Sequence, residues 1–331
     1  MVQMELNRLP CFTLAEFPTP VHYLESFSKL NKGPDIYMKR DDLTSLGMGG
    51  NKTRKLEFLI GQALKEGKDT LVTAGGLQSN HCRLTAAAAG KAGLDCHLVL
   101  NGIPPESANG NLLLDKIFGA KIHYCERSSR DETLYRVAKE LEDLGRHPYV
   151  IPVGGSNDVG SVGYVKAMVE LDAQLKEMGI QPDAIVFATS SGGTQAGLTL
   201  GAKLTGFTGE VLGMSIDQIK SGDDSFLPVL TQIAQTTANR LGLTTGLTEK
   251  DFSLNCDYLG KGYAMPGDLE FNAIRDLARC EGILLGPVYT ARAMGGLVDL
   301  IQQKVFKKGQ TVLFWHTGGS PELFAWPDLL A

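Results

Sequence analysis

The sequence predicts an α/β protein of two domains, each a mainly parallel, twisted sheet flanked by helices, and three observations carry that expectation. At 331 residues the chain is long enough to bury a large core, and the length favours two domains over one or three. From about residue 69, short apolar runs alternate with segments of helical period, the pattern of βαβ units. The 39 glycines exceed the roughly 7% average of globular proteins and gather at the expected strand-to-helix turns, which suggests ligand loops.

The first series has expected strands at 70–73, 96–100, 121–125 and 149–153. Between them lie expected helices at 80–91, which is alanine-rich, at 110–118, and at 131–144, where Leu134, Val137, Ala138 and Leu141 share one face. The second series has strands at 184–188, 211–215 and 311–315, with helices from Thr194, over 226–241 and over 268–281. Residues 1–46 hold a strand candidate at 36–39 and too little else to fold alone, so they join the second sheet. The expected domains are 1–50 plus 164–331, the larger, and 51–163, the smaller.

Apolar residues make up 43% and charged residues 21%, the range of globular chains. A net charge of -5 with scattered Lys and Arg offers no field for phosphate backbones, so nucleic acid is not an expected partner. The first ten residues lack the apolar core of a secretory signal, and no run approaches the length that spans a bilayer; a cytoplasmic location without membrane partners is expected. The six cysteines are widely spaced, with no C-x-x-C pair and no histidine at ligand spacing, so free thiols and no metal are expected.

Three glycine-rich segments can carry chemistry. Gly47-Met48-Gly49-Gly50-Asn51-Lys52-Thr53-Arg54-Lys55 is a turn followed directly by a helix. A lysine on a first helical turn sits where the helix dipole and neighbouring cations lower its pKa, and an unprotonated amine is what Schiff-base chemistry requires. The plainer alternative is that Lys52, Arg54 and Lys55 form a solvated helix start. Gly75-Gly76-Leu77-Gln78-Ser79-Asn80-His81 is a strand end turning into a helix; it provides side-chain oxygens and helix-start amides at the carboxyl edge of a parallel sheet, or else a simple N-cap. Ala188-Thr189-Ser190-Ser191-Gly192-Gly193-Thr194 has the make-up of an anion nest that could hold a phosphate; it matches neither the dinucleotide fingerprint nor a Walker loop.

Together with Phe17-Pro18-Thr19-Pro20, Lys39-Arg40-Asp41-Asp42, Gly154-Gly155-Ser156-Asn157, Gly262-Tyr263, Pro287-Val288-Tyr289-Thr290 and His316-Thr317-Gly318-Gly319, these segments resemble, over nearly the whole chain, the family of D-cysteine desulfhydrase, L-cysteate sulfo-lyase and 1-aminocyclopropane-1-carboxylate deaminase. These are fold-type-II, tryptophan-synthase-β-like enzymes that depend on pyridoxal 5'-phosphate. The resemblance implies that the cofactor lies in the cleft between the domains and is carried covalently by Lys52. It implies that Asn80 meets the cofactor's phenolic oxygen and that Ser191, Gly192, Gly193 and Thr194 cradle its phosphate. Ser79 is implied to handle the substrate carboxylate or a proton, with Gln78 and Asn80 beside it. Tyr263 is implied near the substrate and Tyr289 near the ring, with buried core tyrosines as the plainer alternative. A homodimer and a small amino-acid substrate are also implied.

Two positions help to choose within the family. The deaminase branch has a glutamate after the tyrosine of Pro-Val-Tyr and a leucine in the His-x-Gly-Gly segment, where this chain has Thr290 and Thr317. Neutral hydroxyls beside the cofactor suit β-elimination better than ring opening. The expected reaction removes the α-proton, with Lys52 as the best base and Tyr289 or Ser79 as rivals, and expels sulfide from Cβ to leave pyruvate and ammonia. The alternative is sulfite as leaving group, for which Gln78, Gln195, Gln218, Lys220 and Arg83 are candidate donors. Arg83 and Lys220 read more simply as surface charges. The deaminase ranks lower, and a catalytically silent protein that binds the cofactor or an amino acid is the reading from a different class.

Overall fold

A computed structural model describes residues 2–217 and 225–326; Gln218 and Lys220 lie outside these residues. The strands are β1 (Val21–Tyr23), β2 (Asp35–Arg40), β3 (Thr70–Gly76), β4 (Asp95–Asn101), β5 (Lys121–Cys125), β6 (Pro148–Val150), β7 (Ala184–Thr189), β8 (Glu210–Ser215), β9 (Ser253–Asn255) and β10 (Thr311–His316). The helices are α1 (Val2–Arg8), α2 (Glu25–Asn31), α3 (Lys52–Lys65), α4 (Asn80–Ala92), α5 (Gly110–Ile117), α6 (Arg130–Asp143), α7 (Asp158–Met178), α8 (Gly193–Thr205), α9 (Phe226–Arg240), α10 (Asp268–Glu281) and α11 (Thr290–Gln302). One sheet runs β5-β4-β3-β6, all parallel. The other runs β1-β2-β10-β7-β8-β9, parallel except for the β1–β2 pair.

Both sheets are covered on both faces, which is why their strands read as continuous apolar runs. In the larger sheet Val186, Leu212, Val312 and Phe314 pack among residues of α2, α10 and α11. Their neighbours in sequence, Ile185, Val211, Leu313 and Trp315, pack on α7 and α8. In the smaller sheet Val72, Ala74 and Val99 meet Leu134, Val137 and Leu141 of α6. The alternate residues Leu71, Leu98 and Leu100 join a core that continues through α3, α4, α7, α8 and α9.

Helix α7 was not among the expected elements, and residue 163, the expected domain limit, falls inside it. Its start, Val-Gly-Ser-Val-Gly, reads as a loop because glycine lowers helix propensity. Here the missing side chains are needed for packing: a Cβ on Gly163 would meet the Arg54 carbonyl oxygen at 2.2 Å, and one on Gly197 of α8 would meet the Ser161 carbonyl oxygen at 2.5 Å. The two glycines let α7 lie directly against α3 and α8. Residues 1–46 do pair with the larger sheet, through β1 and β2. Among the described residues no helix is long and apolar enough to cross a membrane.

A buried ionic cluster ties α3 to the larger sheet. The Asp41 carboxylate, fully buried at the end of β2, accepts from Arg54 Nε and Nη2 at 2.9 Å, Thr19 Oγ1 at 2.9 Å, Tyr164 Oη at 2.7 Å and Trp315 Nε1 at 2.8 Å. Arg54 also forks onto Glu170 of α7, which pairs with buried Lys39. Burial alone would raise the Asp41 pKa; the Arg54 guanidinium more than offsets this and holds it below the ordinary value. Replacing Asp41 by Ala leaves two buried cations, Arg54 and Lys39, on the single carboxylate of Glu170. We expect a loss of roughly 3–5 kcal/mol in chemical denaturation of the apoprotein, and unchanged stability would contradict this account of the cluster.

Candidate active site

The loops that follow β3, β5, β6, β7, β8 and β10 converge on one cavity, open at its mouth. It lies at the carboxyl ends of strands from both sheets, where parallel α/β proteins take ligands. Lys52, Ser79, Asn80, Ser191, Gly192, Thr194, Tyr263, Tyr289 and Thr317 all line it.

Lys52 is the first residue of α3, and the loop before it is pinned on three sides. Asn51 N donates to the Thr317 carbonyl at 3.0 Å, and Gly50 N donates to the Asp41 carbonyl at 3.0 Å. The Arg83 guanidinium donates to the carbonyls of Gly47 and Gly49. Gly49 has φ 74°, and a Cβ there would sit 1.9 Å from the Asp42 carbonyl oxygen, so the tight turn requires glycine. Arg83 is therefore no surface charge and no substrate donor: its side chain is fully buried and braces the lysine loop from α4. Arg54 and Lys55 are buried as well, which removes the solvated-helix-start alternative.

Burial lowers the Lys52 pKa to about 8; the neighbouring Cys82 and Lys55 act in the opposite direction. Desolvation is thus the cause, in place of the cations the sequence suggested. Lys52 Nζ donates to the Gly154 carbonyl at 3.3 Å, and so does Lys55 Nζ at 3.1 Å. Lys55, also held well below its ordinary pKa by burial, reaches Ser156 Oγ, which contacts Ser191 Oγ at 2.8 Å and accepts from Gly193 N at 3.0 Å. The serine–glycine turn at the start of α8 and the lysine therefore share one small polar chamber. A Cβ on Gly154 would stand 2.2 Å from Ser191 Oγ and 3.4 Å from Lys52 Nζ.

Ser79 caps α4, accepting from Cys82 N at 3.2 Å. The Asn80 amide is clamped: its oxygen accepts from Asn111 Nδ2 at 2.8 Å, and its nitrogen donates to buried Glu322. The second Nδ2 hydrogen is left for the cavity that Asn80 lines. Tyr263 and Tyr289 meet hydroxyl to hydroxyl at 2.6 Å with rings edge to face, and burial raises both pKa values, so both stay protonated. His81 Nε2 contacts Thr73 Oγ1 at 2.8 Å, and Thr73 donates its own proton to the Ile151 carbonyl. The imidazole therefore carries its proton on Nε2, leaving Nδ1 buried and without a partner at the cavity wall.

Four further expected residues are not at the cavity wall. Gln78 spends its amide on Asn109 and on the Asn111 backbone, at the start of α5. Gly193 lies behind Gly192, its N–H already used by Ser156. Thr290 is fully buried, with its hydroxyl accepting from Gly286 N at 2.7 Å and facing the Gly318 carbonyl at 3.2 Å, so it locks two loops together. Gln195 is buried and donates to the Ser253 carbonyl. The sequence reading missed Asn51, His81, Asn101, Gly154, Arg127, Arg130 and Asp217 on the wall. It also missed Glu322 behind it. The two arginines follow β5 and Asp217 follows β8, so the carboxyl-end rule for parallel strands was the available signal.

Two buried carboxyl groups have strongly raised pKa values. Burial pushes Glu322 to about 8, against the opposing donors Val288 N and Asn80, and pushes Asp115 to about 8 against nearby Arg83. An acid whose folded pKa is raised gives stability that is complete below its unfolded value, near 4, and lost as pH rises through about 8. The Glu322→Gln, Asp115→Asn double variant should therefore flatten the decline in unfolding midpoint over that range. A decline as steep as that of the parent would contradict the assignment.

The family model described as pyridoxal-phosphate dependent enzyme matches residues 12–318. The D-cysteine desulfhydrase of Klebsiella pneumoniae (strain 342) is 43% identical over 332 residues, 98% of this chain and 99% of that protein. A solved structure described as an ACC deaminase homologue superposes with a TM-score of 0.91 at 38% identity, covering 99% of this chain and 98% of its own. The processed form of threonine deaminase isoform 2 from Solanum lycopersicum shares the fold, with a TM-score of 0.67 at 16% identity over 96% of this chain and 83% of its own. The donor set fits a phosphorylated aldehyde: an amine whose pKa burial brings down to about 8, a serine–glycine helix start with a second lysine behind it, and an oriented amide donor. The chain, with its cofactor pyridoxal phosphate, belongs to the pyridoxal-phosphate dependent enzymes.

Proposed function

We propose that this enzyme is a carbon–sulfur lyase that converts a cysteine, D-cysteine first, and one water into pyruvate, ammonia and sulfide. The observation that carries this reading is the Lys52 amine, with its pKa near 8, in one cavity with the anion-holding turn of α8 and the Ser79–Asn80 start of α4. The 43% identity with a D-cysteine desulfhydrase over nearly the full length supports the substrate.

Lys52 would hold the cofactor, Ser191, Gly192 and Thr194 would take its phosphate with Lys55 behind them, and Asn80 Nδ2 would donate to its phenolic oxygen. When bound, the cofactor supplies the electron sink for charge left at Cα. Ser79 and the first amides of α4 would take the substrate carboxylate. Once displaced by the substrate's amine, Lys52 is the group whose pKa suits removal of the α-proton near neutrality; the two tyrosines, held protonated, are suited to donate and to orient. The C–S bond breaks with its electron pair on sulfur, and the released enamine tautomerises and hydrolyses. Thr317 lines the wall as a neutral hydroxyl. Thr290 contributes by holding the loop of Tyr289.

We extend this reading to a chain of two units, 1–50 with 164–331 and 51–163, working as a cytoplasmic homodimer. The free state of all six cysteines suits a reducing compartment. Exposed Leu113 and Ile117 on α5 and Phe324 on the turn packed beside it offer an apolar surface for a second copy. Sedimentation at a single-chain mass would refute the dimer.

Lys52→Ala should lose both the visible absorbance of the bound cofactor and pyruvate production from D-cysteine; normal turnover in this variant would overturn the assignment. Because the amine reacts only when neutral, the rate at which apoenzyme regains cofactor absorbance should rise with pH through about 8 and level off above it. A pH-independent rate would contradict the lowered pKa. Pyruvate release from D-cysteine, L-cysteine and L-cysteate, run side by side, tests the substrate, and silence with all three would favour a binding protein.

A further inference from the structure

Glu322 is a buried carboxyl group that the lyase reading leaves without a task. It lies on one short turn, Ser320–Ala325, and is fully buried behind the wall that Asn80 lines. Among the described residues its hydrogen-bond partners are two uncharged N–H donors from different parts of the fold. One oxygen accepts from Asn80 Nδ2, at the start of α4. The other accepts from Val288 N at 3.1 Å, in the loop that carries Tyr289. Burying a carboxyl group on neutral donors costs free energy that an apolar side chain of similar size would not. A residue that only filled this space would be apolar.

An asparagine amide has nearly the same shape in its two orientations, so its neighbours decide whether it shows a cavity an N–H or an oxygen. The Asn80 oxygen accepts from Asn111 Nδ2 at 2.8 Å and faces Arg83 Nη2 at 3.5 Å. Asn111 Nδ2 is itself held on the Gln78 carbonyl at 2.9 Å, and Arg83 is held on the carbonyls of Gly47 and Gly49. These donors fix one side of the amide. Glu322 fixes the other, because its oxygen takes one of the two Nδ2 hydrogens and leaves the second for the cavity. The Val288 N–H in turn holds the carboxyl group. Gly319 lies beside both partners: its φ is 105°, and a Cβ there would stand 3.2 Å from Asn80 Nδ2 and 3.5 Å from Glu322 Cδ. A side chain would crowd the pair, and the left-handed backbone favours glycine.

We propose that Glu322 is a positioning residue: through the Asn80 amide it aims an N–H at the phenolic oxygen of the bound cofactor, and it anchors that amide to the loop of Tyr289. This rests on the placement of the phenolic oxygen at Asn80 in the lyase reading, and adds to it the group that sets the orientation of the donor. Glu322 does not line the cavity, so its action on the cofactor passes through Asn80.

The test uses two probes, pyridoxal 5'-phosphate and 3-deoxypyridoxal 5'-phosphate, which keeps the aldehyde and the phosphate and lacks the phenolic oxygen. Each is titrated into apoenzyme of the parent, Glu322→Met, Asn80→Ala and the double variant, with binding read from cofactor absorbance and circular dichroism as the check on folding. The preference for the first probe over the second, as a ratio of Kd values, should fall roughly three- to thirtyfold in Glu322→Met, and at least as far in Asn80→Ala. The double variant should fall no further than Asn80→Ala alone. A merely structural role would weaken both probes together, and a ratio unchanged in Glu322→Met overturns the proposal. So does a Glu322 effect that persists in full in the Asn80→Ala background. If Asn80→Ala itself leaves the ratio unchanged, the phenolic oxygen is not at Asn80, and the proposal falls with that placement. If Glu322→Met does not fold, Glu322→Gln decides by the same ratio: its single oxygen is taken by the fixed Val288 N–H, and its amide nitrogen then faces that of Asn80 and turns it over.

Discussion

The Asp41 carboxylate, held by five hydrogen bonds in a dry interior, governs where the reactive lysine can be. Asp41 ends β2, Arg54 lies two residues beyond Lys52 on α3, Tyr164 and Glu170 lie on α7, and Trp315 lies on β10. One buried anion thus fixes the start of α3 against the carboxyl ends of the larger sheet. Burying a charge in low dielectric costs several kcal/mol per ion, which pairing repays only when the geometry is nearly complete. Such a cluster tolerates little displacement, and that rigidity is what an amine needs if it is to meet a cofactor at one position.

The lysine's chemistry follows from the same enclosure. Its pKa falls because water is removed, and water is removed because α3, the Gly154 turn and the α8 turn close around it. The same desolvation acts on every polar group nearby, with a sign set by charge type. It lowers the amines of Lys52 and Lys55 and raises the hydroxyls of Tyr263 and Tyr289 and the carboxyl of Glu322. The cavity therefore sets amines of lowered pKa beside protonated phenols, an arrangement suited to taking a proton from carbon and returning one elsewhere.

The cleft wall draws on both sheets. Lys52 and the start of α8 are tied to the larger sheet, while Arg127 and Arg130 follow β5 of the smaller sheet. Arg127 meets Asp217, which follows β8 of the larger one.

Most of the fold was legible in the sequence because a buried parallel strand is a run of apolar residues and an amphipathic helix repeats them at helical spacing; both signals are local. Helix α10 and strand β5 were read to the residue, and Lys52, Ser79 and Thr194, singled out by glycine-rich turns together with the family resemblance, all line the cavity. Helix α7 was not legible, since Gly163 serves a contact with Arg54 more than a hundred residues away in the chain. Arg83 and Thr290 looked like a surface charge and a cofactor ligand, and only their surroundings show that each braces a loop. Arg127 and Arg130 were not singled out at all. Residue type and spacing determined the strands and the helices, because those depend on neighbours in sequence. Desolvation, ion pairing and access to the cleft depend on neighbours in space, and these only the packing of two sheets decided.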